Sequence, residues 1–436
     1  MTLDKIILLT TKPISNQSSE NGIMKTYKVG GCVRDRLLDL PFTDIDWVVT
    51  GATVEHMRKA GYQSVGKDFP VFLHPKTKQE YALARSERKT GPGYHGFEFN
   101  TDPTITIEQD LSRRDLTINA IAEDKNGNLI DPYGGQADLD KRILRHVSYA
   151  FVEDPVRVLR VARFAARFHH LGFKLAPETI QLIRKMGESG ELGSLIAERV
   201  WSEMSRALGE RNPSIFFETL RECNVLTPLF PEIDGLYGVP QTAKYHPEID
   251  TGIHVMMALE KSAELNFDIE TRFAVLMHDL GKAITPIDTL PSHHGHEERG
   301  VKLVKSFCKR WKVPKAHTEL ALITTEYHTH VHRAFELKPA TLLKLFTKTD
   351  IFRKPRRFKK MIQACLCDLR GRTTFENNPY PQAAFVNQLA DKLCNADISK
   401  ITQSELEGKA LGEAINNLRL DLIKSEKQAL MQTLTM

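Results

Sequence analysis

Two aspartates one residue apart, Asp44 and Asp46, stand shortly after a Gly30-Gly31 pair and Arg34. Side chains alternate along a strand, so a strand over residues 44–49 would place both carboxylates on one face and turn Ile45 and Trp47 toward a core. Carboxylates held side by side repel one another unless a cation sits between them. Mg²⁺ carrying a triphosphate is the natural third party. A short strand over Lys25–Val29, a glycine turn and helical character over residues 33–40 would point backbone N–H groups at an anion, with Arg34 able to fork onto phosphate oxygens. Each feature alone reads as readily as a solvated face or an ordinary turn. Together, within seventeen residues, they favour nucleotidyl transfer, in which metals activate the attacking hydroxyl and stabilise the leaving pyrophosphate.

Two further groups carry chemistry. Asp154-Pro155 reads as a helix N-cap followed by proline at the first helical position. Arg157, Arg160, Arg163 and Arg167 then recur on one side of that helix with no acidic residue a turn away. Like charges at that spacing repel and imply an external anion; a solvated basic face is the alternative. Ten of the sixteen histidines fall between residues 246 and 332, including His254, His278-Asp279, His293-His294-Gly295-His296 and His328 with His330 and His332. Histidine and aspartate together suit Mn²⁺, Ni²⁺, Co²⁺ or Mg²⁺.

The elements that must position these groups come from an ordinary chain of 436 residues, 41% apolar with a mean hydropathy of −0.33. That length predicts two to four domains, and no apolar run reaches the roughly 18 residues of a membrane span. Six cysteines without a Cys-x-x-Cys pair suit a reducing cytosol. A net charge of +5 permits a polyanionic partner without requiring one. Residues 1–23 read as a disordered extension, which makes Met24 an alternative start. Residues 86–94 read as a mobile, basic, glycine-rich loop. The basic run at 353–360 could grip a phosphate backbone or be a solvated helix face.

The chain resembles the bacterial CCA-adding enzymes, tRNA nucleotidyltransferases that share a catalytic head with bacterial poly(A) polymerases. The resemblance rests on residues 29–35 (VGGCVRD), 43–46 (TDID), 113–120 (RRDLTINA) and 153–157 (EDPVR), in order and spacing from Met24 onward. It implies an α+β fold: a small mixed-sheet head like that of DNA polymerase beta, followed by a mostly helical neck, body and tail. It implies that Asp44 and Asp46 are catalytic and hold Mg²⁺, and that Gly31, Arg34, Arg114, Arg160 and Arg163 meet the nucleotide. Asp154 and Arg157 would read the base. Cytosine and adenine each offer an exocyclic amine beside a ring-nitrogen acceptor, so one Asp/Arg pair admits CTP and ATP and rejects UTP and GTP. Asp154 as a plain helix cap stays open, and Asp110 reads as either a third carboxylate or a helix-start acid.

Residues 240–375 resemble an HD phosphohydrolase domain, with His254, His278 and Asp279 at the metal-ligand positions and Asp368 a further acid that does not align without a gap. That resemblance implies a divalent transition metal such as Ni²⁺, with phosphatase, 2′-nucleotidase and 2′,3′-cyclic phosphodiesterase activity on damaged tRNA 3′ ends. The expected organisation is a head over 24–150, a neck and body over 151–235, the HD domain over 240–375 and a helical tail over 376–436. Expected partners are the tRNA 3′ end and acceptor stem with CTP and ATP, in the cytoplasm, without a membrane, as monomer or homodimer. The competing readings are a poly(A) polymerase and a non-catalytic RNA-binding regulator.

Overall fold

The computed structural model describes residues 24–65, 70–89 and 97–435. The expected extension over 1–23 and residues 90–94 of the basic loop lie outside them. The chain forms two compact units: the first takes in the described residues before residue 90 with Phe97–Arg114 and Ile118–Gln136, the second Asp115–Thr117 and everything from Ala137.

In the first unit the order is β1 (Lys25–Val29), α1 (Gly31–Leu37), β2 (Asp46–Thr50), α2 (Val54–Lys59), β3 (Gln63–Ser64), β4 (Val71–Leu73), β5 (Glu80–Leu83), β6 (Ser86–Lys89), β7 (Phe97–Asn100), α3 (Ile107–Ser112), β8 (Ala122–Glu123) and β9 (Leu129–Ile130). Seven strands form a mixed sheet in the order β3-β4-β5-β2-β1-β8-β9, with β2 antiparallel to β1 and parallel to β5. Alternation along β2 sends Trp47 and Val49 toward Met57, Phe72, Tyr81 and Leu83. Trp47 stacks on Tyr81 with ring centroids 5.2 Å apart. Two expectations need correction. Asp44 precedes the strand, because Asp46 pairs with Val29 at the very end of β1 and the chain turns away at Gly30, leaving residue 44 no ladder partner. Residues 86–89 form β6, paired with β7, because the aromatic-bearing segment Phe97–Asn100 supplies a partner that a count of local charges cannot reveal.

The second unit is helical apart from the paired β10 (Ile143–Leu144) and β11 (Lys174–Leu175); in sequence, α4 (Gly135–Asp140) begins in the first unit and ends in the second. The helical stretch expected from residue 154 breaks into α5 (Val156–Phe168), α6 (Pro177–Glu188), α7 (Ala197–Gly209) and α8 (Ser214–Glu222). After the short α9 (Leu226–Leu229) and α10 (Pro231–Asp234) come α11 (Thr251–Glu264), α12 (Ile269–Met277), α13 (His296–Arg310), α14 (Lys315–His332), α15 (Pro339–Lys348), α16 (Pro355–Arg370), α17 (Pro381–Cys394), α18 (Ser399–Thr402) and α19 (Gly408–Thr435). Asp250 and Asp268 cap α11 and α12, accepting from the Ile253 and Thr271 amides. The apolar run Phe273–Met277 is fully buried, and Val275 joins a core with Leu320, Val331, Leu345 and Met361. Truncating Phe273, which packs against Trp201 and Phe307, would cost about 3–5 kcal/mol. No helix among the described residues is long and apolar enough to cross a membrane.

Candidate active sites

The first site gathers around the turn from β1 into α1. Gly30 has φ of +70°, a conformation that side chains rarely adopt, and a Cβ there would lie 2.9 Å from Arg114 Nη1. Arg114 is thus laid over the turn, and it also reaches the Asn119 carbonyl and Asp110 Oδ2. Arg34 is only 3% exposed, its Nε donating to Asp35 at 2.8 Å and its Nη1 to Asn119 Oδ1 at 2.5 Å. The structure therefore brings Gly31, Arg34 and Arg114 together, with Asp46 across the ladder from Val29, and leaves Asp44 and Asp46 exposed to solvent. Asp110 lies in the first turn of α3, as its reading as a helix-start acid expects. It is fully buried on α3, accepts from Arg113 and Arg114 and from the Arg85 amide, and so positions arginines. Burial alone would raise its carboxyl, but Arg113 and Arg114 outweigh that and hold it below the ordinary value.

In the second unit, α5 carries the arginine face. No acid lies a turn away on the helix itself, but Arg160 and Arg163 find carboxylates on other segments. Arg160 Nε donates to Asp115 at 2.8 Å, and Arg163 Nε to Glu203 at 2.6 Å. The sequence conceals these partners because Asp115 lies before the helix and Glu203 sits on α7. Pro155 takes the N-cap position of α5, with Asp154 Oδ1 accepting from the Val156 amide at 3.2 Å. Asp154 also forms a bidentate pair with Arg199 of α7, at 3.0 and 2.7 Å. Arg157 Nη1 donates to the Ala150 carbonyl at 2.6 Å.

The histidine-rich region converges more tightly. His254 of α11, His278 at the end of α12, Asp279 and Asp368 of α16 are each no more than 3% exposed. His254 Nε2 lies 3.2 Å from Asp368 Oδ1, and His278 Nε2 lies 3.2 Å from Asp279 Oδ2. Each ring's proton placement follows from its other nitrogen. His278 Nδ1 faces the Val275 carbonyl at 2.6 Å, and His254 Nδ1 faces Glu248 at 2.9 Å. Both partners only accept, so in the neutral rings each Nδ1 carries the proton and each Nε2 presents a lone pair. Lone pairs of two imidazoles then face carboxylate oxygens, an arrangement that a divalent cation satisfies and water-free protein does not. His278 Nε2 and Asp279 Oδ1 make no hydrogen bond despite burial. Burial would raise the carboxyls of Asp279 and Asp368, but His278 and Lys282 for the first, and Arg372 and His332 for the second, hold both well below the ordinary range.

Close backbone approach makes this convergence possible. A Cβ on Gly371 would sit 2.4 Å from the Ala258 Cα, so glycine lets the end of α16 press against α11 and carries Asp368 to His254. Beside the cluster, Lys282 Nζ lies 2.7 Å from Asp279, Arg372 Nη2 lies 2.8 Å from Asp368, and His332 Nε2 donates to Asp368 at 2.6 Å. A cavity of about 1060 Å³ opens here, lined among others by Tyr245, Lys282, Arg333, Arg372, Phe375 and Tyr380.

Three families match along the chain: "Poly A polymerase head domain" at residues 26–145, "Probable RNA and SrmB- binding site of polymerase A" at 172–236, and "HD domain" at 251–396. Solved CCA-adding enzymes share the fold. One in complex with ATP superposes with a TM-score of 0.63 at 21% identity over 94% of this chain and 92% of that one. The Thermotoga maritima enzyme complexed with tRNA_CCA gives 0.55 at 20% identity over 93% and 92%. A nucleotidyltransferase head with a mixed sheet, a helical remainder and an HD domain define the class as CCA-adding tRNA nucleotidyltransferase. The multifunctional CCA proteins of Thioalkalivibrio sulfidiphilus and Teredinibacter turnerae are each 55% identical, over 93% of this chain and 99% of theirs. The chain belongs to the multifunctional CCA protein family.

Sequence reasoning named Asp368 without placing it and missed Glu248, Arg199, Glu203 and Asn119. Arg199, Glu203 and Asn119 act through pairings dozens of residues apart, which leave no periodic signal, and Glu248 acts through a contact that depends on how α11 turns His254. His296 and His328 stood within the histidine group but were not singled out as ligands.

Proposed function

We propose that the head adds C, C and A to the tRNA 3′ end without a nucleic-acid template. In each step the terminal 3′ oxygen attacks the α-phosphorus of CTP or ATP, the bond to the β-phosphate oxygen breaks, and pyrophosphate leaves. The observation that carries this reading is the exposed Asp44/Asp46 pair beside the Gly30 turn, where Arg114 and Arg34 are held close by. Asp44 and Asp46 would hold Mg²⁺, which when bound supplies activation of the attacking hydroxyl and charge stabilisation at the leaving phosphates. Gly31, Arg34 and Arg114 meet the triphosphate, and Arg160 and Arg163 contact the nucleotide. Asp154 accepts from the exocyclic amine and Arg157 donates to the ring nitrogen, with Arg199 fixing the Asp154 carboxylate. A wrong base would leave a polar group unpaired, at a cost of about 1–3 kcal/mol.

The HD region supplies phosphatase, 2′-nucleotidase and 2′,3′-cyclic phosphodiesterase activity, preparing the 3′ hydroxyl that the head extends. His254, His278 and Asp279, with Asp368 beside them, would hold a divalent transition metal such as Ni²⁺, which when bound acts as a Lewis acid toward the phosphoester and lowers the pKa of water. Lys282 and Arg372 favour a phosphate at the cavity, and Tyr245 and Phe375 offer faces to a base. The head spans 24–150, the neck and body 151–235, the HD domain 240–375 and the tail 376–436. The enzyme works on tRNA in the cytoplasm, as monomer or homodimer.

The test assays one polypeptide with CTP and ATP on tRNA lacking its terminal trinucleotide, and with a 2′,3′-cyclic phosphate. Asp44→Ala should abolish addition, by about 10³-fold or more, and leave phosphate hydrolysis. His278→Ala should do the reverse. Incorporation of A alone would favour a poly(A) polymerase, and loss of both activities in either folded variant would overturn the two-site reading.

A further inference from the structure

The Asp368 carboxylate is held from two sides. Arg372 Nη2 donates to Oδ1 at 2.8 Å and His332 Nε2 to Oδ2 at 2.6 Å, while His254 Nε2 faces Oδ1 at 3.2 Å. Behind His332 stands a residue that neither the metal-ligand set nor the cations of the cavity account for. The Tyr380 hydroxyl lies 2.7 Å from His332 Nδ1, and the two rings pack with centroids 5.4 Å apart. The acceptors order the hydrogens along this chain. Asp368 only accepts, so His332 Nε2 carries the ring hydrogen; in the neutral imidazole Nδ1 then holds a lone pair, and Tyr380 must donate to it. Burial holds the phenol well above its ordinary pKa, so it keeps the hydrogen it donates.

The other tautomer shows what the hydroxyl does. With the hydrogen on Nδ1, His332 Nε2 would set a lone pair against Asp368 Oδ2, an unfavourable contact at a buried carboxylate. Tyr380 disfavours that state, because a hydrogen on Nδ1 would take away the acceptor of its own hydroxyl. The three members come from separate elements: α14 ends on His332, α16 carries Asp368, and Tyr380 stands at the entry to α17. Each is placed without help from the chain. Tyr380 packs against the apolar layer that holds Phe385 and Leu389. Arg370 Nε donates to the Asn378 carbonyl at 3.3 Å, which ties the segment before Tyr380 back to the end of α16. Both His332 and Tyr380 border the cavity beside the metal-ligand cluster.

We propose that Tyr380 is a positioning residue for the HD site: acting through His332, it fixes the tautomer that holds the Asp368 carboxylate in place for a divalent ion. This rests on the metal-binding reading of the HD region and carries it one layer outward. An ionised carboxylate has about four acceptor positions, so the bonds from His332 and Arg372 orient Asp368 and leave it able to bind an ion.

The experiment uses the full chain with Asp44→Asn and Asp46→Asn, so that ions held by the head do not enter the titration, and Ni²⁺ alone as the probe. By calorimetric titration, Tyr380→Phe should weaken Ni²⁺ binding about tenfold and His332→Ala about a hundredfold, the range lost with an outer partner of a metal ligand. Tyr380→Phe added to His332→Ala should cost nothing further, because the hydroxyl acts only through the ring. His332→Gln, whose amide can accept from Tyr380 and donate to Asp368, should recover about tenfold over His332→Ala. In the metal-free protein, nitrogen NMR of labelled histidine, with His332 assigned by its loss in His332→Ala, should place the ring hydrogen on Nε2 and show it moving in part to Nδ1 in Tyr380→Phe. Circular dichroism and melting of each metal-free variant establish that it is folded. Unchanged Ni²⁺ affinity in folded Tyr380→Phe, an equal loss with and without His332, or no recovery by His332→Gln would overturn the inference while the metal site stands. No Ni²⁺ bound by the parent would overturn the metal reading of the region and this inference with it.

Discussion

The arginine sites and the histidine site solve opposite electrostatic problems. Around the glycine turn and on α5 and α7, cations are already neutralised by protein carboxylates: Arg113 and Arg114 by Asp110, Arg160 by Asp115, Arg163 by Glu203 and Arg199 by Asp154. An incoming nucleotide must share or exchange those pairs, and such exchange is reversible because the charges are never left bare. In the HD region the imbalance runs the other way, with ring nitrogens and carboxylate oxygens facing one another, His278 held from behind by the Val275 carbonyl and His254 by the nearby Glu248 carboxylate. The first arrangement suits substrates that come and go. The second suits a resident ion.

That contrast can be broken most directly by metal supply. Ni²⁺ at about a thousand times its dissociation constant should stabilise the folded HD region by about 4 kcal/mol. Calorimetry should show a raised transition that chelation reverses and that His254→Ala removes; an identical melt with and without metal would mean the cluster is a hydrogen-bonded core. A smaller effect is expected at Asp110. Replacing it with asparagine leaves two arginines without their buried partner, at a cost of about 3 kcal/mol near neutral pH. Its carboxyl is depressed in the folded state, so its contribution is present above the unfolded value near 3.8 and fades as pH falls through the lower folded one. Melting temperatures of Asp110→Asn should therefore converge on those of the parent as pH falls below that value, and a constant gap would assign the loss to packing. Smallest is Arg199→Ala. Freeing the Asp154 carboxylate should weaken preference for CTP and ATP over UTP and GTP by about tenfold, at roughly 1 kcal/mol, read as kcat/KM ratios for single additions. Unchanged ratios with a lower kcat would make Arg199 a purely structural strut.

What was legible in the sequence was local. The strand at Lys25–Val29, the turn at Gly30 and the apolar run before His278 follow from alternation, glycine and periodicity, each confined to a few neighbours. The family resemblance then supplied the fold of a head with a mixed sheet and a helical remainder. What stayed hidden was reciprocal and distant. Glu248, although near in sequence, marks nothing until α11 turns His254 Nδ1 onto it. Arg199 and Glu203 lie 45 and 40 residues from the groups they hold. The role of Gly281 and Gly371 is also invisible, because a lone glycine does not announce which backbone will pass within touching distance.

Trp201 stands on α7 between Arg199 and Glu203, its ring edge-on to Phe273 at 5.4 Å and to His317 at 5.1 Å. One indole thus borders both the helix that grips Asp154 and the apolar layer beneath His278. Since the chain has three tryptophans, replacing Trp47 and Trp311 with phenylalanine would leave a molecule whose fluorescence comes from that seam alone, giving an intrinsic optical probe of whether nucleotide at one end is felt at the other.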